Sequence, residues 1–218
     1  MSTVWIGSQH FIESGEYDEM HAKDHTETCP ETYYGGTLIK RIHPVNDRDS
    51  EPCVESGFGM WNEKIYHFKP ELPPSSDGDE IQSEFFVEKE HFLDALLDLY
   101  HENYKFKDYV QITEIRGVQM DFIPLSPFKH RNSFGIHFTW KHDFENVYKA
   151  AKEVQRILQP YDYRVHWGKF FHPEPDNGLF KSFNHDLGEL RQLIQNQGNS
   201  KFINCFAERV LYDNKNCQ

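Results

Sequence analysis

The stretch Phe134-Gly135-Ile136-His137-Phe138-Thr139-Trp140 limits the possible folds more than any other part of the chain. Along a strand, alternate side chains point to opposite faces. Phe134, Ile136, Phe138 and Trp140 then form a wide apolar face, and Gly135, His137 and Thr139 a small polar one. A core must cover the first face, whereas the second is free to meet something polar. An amphipathic segment follows at once. Val147, Ala151, Val154 and Leu158 recur at helical spacing over residues 144–158, and Pro160 stops that helix.

The same patterns predict strands over residues 2–6, 36–42, 65–68, 80–88, 109–116 and 165–171, and an extended closing segment at 201–206. A helix over 89–104 takes Phe92, Leu93, Leu96, Leu97, Leu99 and Tyr100 as its core face, and another lies near 186–196. Residues 8–33, polar and acidic with little periodicity, read as a mobile surface loop. Residues 47–56, 72–78 and 172–178 carry turn residues and read as loops. Strands interspersed with helices, with hairpin-like pairs, imply an α+β fold: a mostly antiparallel sheet with helices packed on one face. The 218 residues suffice for one large domain or two small ones.

Charge removes several function classes. Asp and Glu total 35 against 23 Lys and Arg, a net of −12, and no basic cluster interrupts this. Nucleic-acid binding is not expected. No apolar run approaches the roughly 18 residues of a membrane helix, and no secretory leader follows Met1, so the default expectation is a cytoplasmic protein. Cys29, Cys53, Cys205 and Cys217 show no CxxC spacing and are expected to be reduced. His21, His25 and Cys29 stand at i, i+4 and i+8, a zinc-compatible spacing on a helix, but without a fourth ligand no metal site is expected. Dinucleotide, P-loop and GxSxG motifs are absent.

Chemistry concentrates on three strands. Val110, Ile112, Glu114 and Arg116 alternate onto one face of the 109–116 strand. If that strand lies beside 134–140, Glu114 and Arg116 converge with His137 and Thr139. In Val165-His166-Trp167-Gly168-Lys169, the glycine permits a close approach, and Lys169 adds a positive charge. A plain exposed salt bridge, Glu114 with Arg116 or Lys169, is the more common explanation of the same residues, because charged pairs on exposed sheet faces are frequent.

Several of these stretches occur, in the same order, in a known family. They are Ser75 to Glu84 (SSDGDEIQSE), Glu114-Ile115-Arg116 (EIR), Leu125-Ser126-Pro127 (LSP) and His137–Trp140 (HFTW). His166–Lys169 (HWGK) with Phe171 and Lys201–Phe206 (KFINCF) complete the set. From Val4 to Leu211 the chain resembles the C-terminal substrate, or cap, domain of the alditol and xylitol oxidases and D-arabinono-1,4-lactone oxidases. These are vanillyl-alcohol-oxidase-like FAD enzymes, and the likeness is greater to the polyol oxidases than to the lactone oxidases.

The resemblance implies an α+β cap domain facing the flavin ring, and oxidation of a carbinol by hydride transfer to FAD with O2 as acceptor. It places Arg116 and Lys169 in catalysis, next to the reacting carbinol. Glu114 and Thr139 would bind other substrate hydroxyls, with His137 and His166 in support. The family's FAD-binding domain, with its covalent histidine and glycine-rich loop, is not in these 218 residues, and no residue here is assigned to cofactor binding. The implied partners are a sugar alcohol or aldonolactone, and an FAD-binding domain in cis or in trans. A two-chain flavoenzyme and a non-catalytic sugar- or protein-binding module are the alternatives. Closer kinship to the lactone oxidases would add membrane association.

Overall fold

The structure, a computed structural model of the chain, describes residues 32–33, 36–37, 80–173, 183–197, 201 and 203–212. The chain divides into two compact units, 1–78 and 79–218. In the first, β1 (Thr32–Tyr33) and β2 (Gly36–Thr37) pair antiparallel as a tight hairpin. Residues 32–33, taken from sequence as the end of a loop, are therefore strand. The rest of the 8–33 loop, the strands at 2–6 and 65–68, the loops at 47–56 and 72–78, and His21, His25 and Cys29 lie outside the described residues.

The second unit is built on a four-stranded antiparallel sheet, ordered β4-β5-β3-β6. Its strands are β3 (Ile81–Glu88), β4 (Val110–Val118), β5 (Ser133–Trp140) and β6 (Arg164–Val165). The helices are α1 (Phe92–His101), α2 (Phe144–Leu158), α3 (Asn184–Asn196) and α4 (Cys205–Tyr212). This is the α+β architecture expected.

Alternation along β5 works as read. Ile136, Phe138 and Trp140 are buried on one face with Phe85, Val87 and Val165, beneath Ala95 and Leu99 of α1 and Val147, Ala151, Val154 and Leu158 of α2. Trp140 stacks on Phe138 with ring centroids 5.0 Å apart and donates its indole N–H to Ser83 Oγ at 3.0 Å, so the largest core side chain is also hydrogen-bonded. Asp143 caps α2, accepting from the Asn146 backbone N–H at 3.3 Å. Residues 159–161 then close it as a single 3-10 turn holding Pro160.

Four expectations need correction. The 89–104 segment is a ten-residue α-helix flanked by 3-10 turns, and it buries Ala95 and Leu99. Leu93, Leu97 and Tyr100 are exposed. Its apolar residues wrap beyond one face, and a helix lying on a sheet can bury only the stripe that meets it. Residues 201–206 do not close the chain as a strand, because α4 begins at Cys205. Its Val210 and Leu211 pack with Phe183 and Leu187 in a second small core. The strand at 165–171 ends after Val165. Cys205 is disulfide-bonded, not reduced, its partner lying outside the described residues; sequence spacing does not reveal which distant cysteines folding brings together.

Core burial predicts a sharp contrast between two leucines. Leu158→Ala, at a fully buried site, should cost about 2–5 kcal/mol. Leu93→Ala, at a site 64% exposed, should change stability by less than about 0.5 kcal/mol. Urea unfolding of both variants checks this, and similar losses would contradict the packing described.

Candidate functional site

The sheet's second face carries the polar residues. In register, Glu84 of β3 and Glu114 of β4 flank His137 of β5. Gly135 lies between Phe86 and Arg116, and Thr139 between Gln82 and Ile112. One detail of β4 departs from simple alternation. A bulge between Val110 and Ile112 reverses the phase, so Val110 joins Trp140 on the core face while Ile112, Glu114 and Arg116 share the polar one. The expectation that Val110 lies on the same face as Glu114 is thus corrected.

Lys169 reaches this face because the chain leaves the ladder after β6. His166 N–H still donates to Glu84 O at 3.0 Å and Phe170 N–H to Gln82 O at 2.8 Å, but residues 167–169 turn outward, with Lys169 N–H on His166 O at 3.1 Å. Gly168 sits in that turn and donates to His166 Nδ1 at 3.1 Å. The departure that invalidated the 165–171 strand is therefore what delivers the lysine. Trp167 braces the turn by donating to Leu125 O at 2.7 Å. Leu125 holds a left-handed backbone, φ 62°, and Asp186 of α3 pins its neighbourhood. The Asp186 carboxylate accepts from Leu125 N–H at 3.1 Å and from Lys129 at 2.6 Å.

The cluster centres on Glu84, a residue the sequence reading used only as part of a motif. Its carboxylate is nearly fully buried and accepts from Lys169 Nζ at 2.7 Å and from Arg116 Nη1 at 3.1 Å. A carboxylate directly preceding the apolar run Phe85-Phe86-Val87 was the available signal. Burial pushes its pKa up, but the Lys169 hydrogen bond and the charges of Lys169 and Arg116 outweigh that and hold it below the ordinary value. Arg116 also pairs with Glu114 at the exposed rim. His137 Nδ1 lies 3.1 Å from Lys169 Nζ and 3.3 Å from Arg116 Nη1, and its Nε2 is 3.3 Å from Thr139 Oγ1. Burial, then the two cations, push His137 down to about 4, so it is neutral near pH 7.

Arg116, Lys169, Glu114, His137 and Thr139 are thus brought together. His166 is not: its side chain serves the turn, accepting from Gly168, and its ring lies 6.5 Å from that of Phe86. The simple salt-bridge alternative holds for Glu114 with Arg116 but not for Lys169, whose partner is Glu84. Two cations and two carboxylates balance, so the cluster carries no net charge. It can donate hydrogen bonds to, and stabilise negative charge on, an oxygen set against Lys169 and Arg116. Among the described residues, His185, Asp186 and Glu189 also gather metal-type donors, but Asp186 already holds Lys129 and the group stands apart from this cluster.

The fold and site together define an α+β domain with one sheet face sealed by helices and a charge-balanced polar cluster on the other. No family model matches the chain. It is 36% identical over 174 residues, 78% of its length, to an alditol oxidase from Streptomyces sp. strain IKD472. The chain spans 41% of that relative's length, in its C-terminal part. The chain is thereby similar to the C-terminal part of an alditol oxidase. Among the described residues, no helix is long and apolar enough to cross a membrane.

Two predictions follow from the geometry. A Cβ on Gly135 would lie 2.9 Å from the Phe86 ring and 3.1 Å from Glu84 Oε1. The ring is held edge-on by Phe128. Gly135→Ala should therefore cost about 1–3 kcal/mol and push the Glu84 carboxylate off Arg116; thermal unfolding and side-chain NMR would show it. The second concerns acid. His137 titrates at about 4 when folded against 6.5 as its ordinary value, so between those pH values the unfolded chain binds the extra proton. Its contribution to stability is complete above pH 6.5 and disappears as pH falls toward 4. Unfolding free energy should decline over that window, and less steeply in His137→Gln.

Proposed function

We propose that this chain is the substrate-binding part of an FAD-dependent polyol oxidase of the alditol or xylitol type. The observation that carries the reading is the convergence of Lys169 and Arg116 on the buried Glu84 carboxylate, on the sheet face that α1 and α2 leave uncovered. The matching relative is named an alditol oxidase, and the zero net charge of the cluster suits a neutral polyhydroxylated ligand better than a sugar acid or phosphate.

In this reading Lys169 and Arg116 donate to the oxygen of the reacting carbinol and stabilise the alkoxide formed as its hydroxyl proton passes to water, and the C–H bond of that alkoxide would then break with its electron pair leaving as hydride. Glu114 accepts from a neighbouring hydroxyl at the exposed rim, and Thr139 bonds a further one. His166 acts through the Gly168 turn that presents Lys169. The electrons would leave to a flavin, which would pass them to O2. The described residues do not fit the dinucleotide itself. The turns that open α1 (88–91) and α2 (141–143) contain no glycine and so cannot cradle a pyrophosphate as a dinucleotide loop does. The cofactor's binding residues would come from an FAD-binding domain in cis or in trans.

Calorimetry on the chain should detect xylitol or sorbitol and no preference for gluconate; tighter gluconate binding would contradict the charge argument. In the flavin-containing enzyme isolated from its source, Lys169→Met should lower kcat by about 10²–10³-fold with folding intact. Unchanged turnover would remove Lys169 from the reaction.

A further inference from the structure

We propose that His137 is a positioning residue, held as the neutral Nε2–H tautomer, that turns the Thr139 hydroxyl proton away from the ring and leaves it to donate to a ligand on the polar side of the sheet. The argument starts from Nδ1. Two cationic donors converge on it, Lys169 Nζ at 3.1 Å and Arg116 Nη1 at 3.3 Å. Neither has a lone pair to offer. A proton on Nδ1 would face both of them, whereas a lone pair there accepts from both. The nearest carboxylate oxygen, Glu84 Oε2, lies 4.0 Å from Nδ1, too far to take a hydrogen bond from it, and is already bonded to Lys169. The charged groups around the ring are Glu84 from β3, Glu114 and Arg116 from β4, and Lys169 from the outward turn. The carboxylates are matched by the two cations, so nothing is left to favour a third positive charge.

The imidazole proton therefore resides on Nε2, 3.3 Å from Thr139 Oγ1. That hydroxyl accepts from the ring and must send its own proton elsewhere. Among the described residues the Thr139 hydroxyl makes no other hydrogen bond, so its proton is left for a ligand. The polarity of the cluster is thus transmitted in one sense: cations to Nδ1, Nε2–H to Thr139, Thr139 O–H to a ligand. The ligand oxygen that takes this proton is an acceptor, while the second lone pair of Oγ1 remains available. Glutamine can reproduce this polarity at position 137, its carbonyl toward the cations and its amide toward Thr139, whereas phenylalanine can do neither.

The tautomer stands independently of the polyol reading, while the use of the Thr139 donor rests on it. Imidazole 15N NMR on the whole chain tests the first. The expected result is a pyridine-type Nδ1, a pyrrole-type Nε2 with its proton close to the Thr139 methyl, and no protonation of His137 between pH 6 and 8. A proton on Nδ1, or a charged ring at pH 6, would overturn the proposal. Xylitol titrations test the second. Thr139→Val and His137→Phe should each weaken binding about tenfold, and His137→Gln by less than about threefold, with retained folding checked by circular dichroism. Equal losses for His137→Gln and His137→Phe would overturn the donor role. If the unmodified chain binds no polyol, the proposed function fails, and the NMR signature decides the tautomer on its own.

Discussion

The Glu84 carboxylate is the interaction on which the polar face depends. It sits between Lys169 and Arg116, two side chains delivered by segments that would otherwise have no reason to meet. A buried ion pair gains little net free energy over an apolar packing of the same volume, yet removing one partner typically costs about 3–5 kcal/mol because the other is left unpaired. The arrangement therefore specifies geometry more than it adds stability. Lys169 is brought by a turn outside the ladder, Arg116 by an edge strand, and Glu84 by the strand between β5 and β6. The shared carboxylate holds all three to one point.

Around that point the fold uses each face of one sheet differently. The inner face is sealed by α1 and α2 over an aromatic and aliphatic core. The outer face keeps a glycine, a histidine and a threonine on β5, and at position 135 even one added carbon would press on Phe86 and the Glu84 carboxylate. The edges are irregular where the chemistry is. A bulge rephases β4 so that Glu114 and Arg116 face His137, and β6 stops after two residues so that Lys169 can turn in. Regular strands in both places would carry these charges elsewhere.

Much of this was legible in the residues. Alternation in β5 assigned both faces correctly, helical periodicity identified α2 and its buried stripe, and the motifs around residues 114–116, 137–140 and 166–169 pointed to Glu114, Arg116, His137, Thr139 and Lys169. The misses share a cause. Glu84 looked like one acid among many, because its importance lies in which cations reach it. Val110 was assigned to the wrong face, because a bulge has no period. The exposed Leu93, Leu97 and Tyr100, the helix at 205–212 and the disulfide at Cys205 all depend on what packs against or joins them, which spacing along the chain does not record.

By itself, then, the sequence determined the α+β class, the apolar and polar faces of its central strand, and the similarity to an alditol oxidase, because these rest on local periodicity and on motif identity. Only the tertiary structure decided that one buried carboxylate gathers two cations, that His166 serves a turn instead of the cluster, and that His137 must present a lone pair to its cationic neighbours. Those outcomes are set by distances between residues as many as 85 positions apart, and electrostatic and hydrogen-bond energies depend on such distances in space, not on separation along the chain.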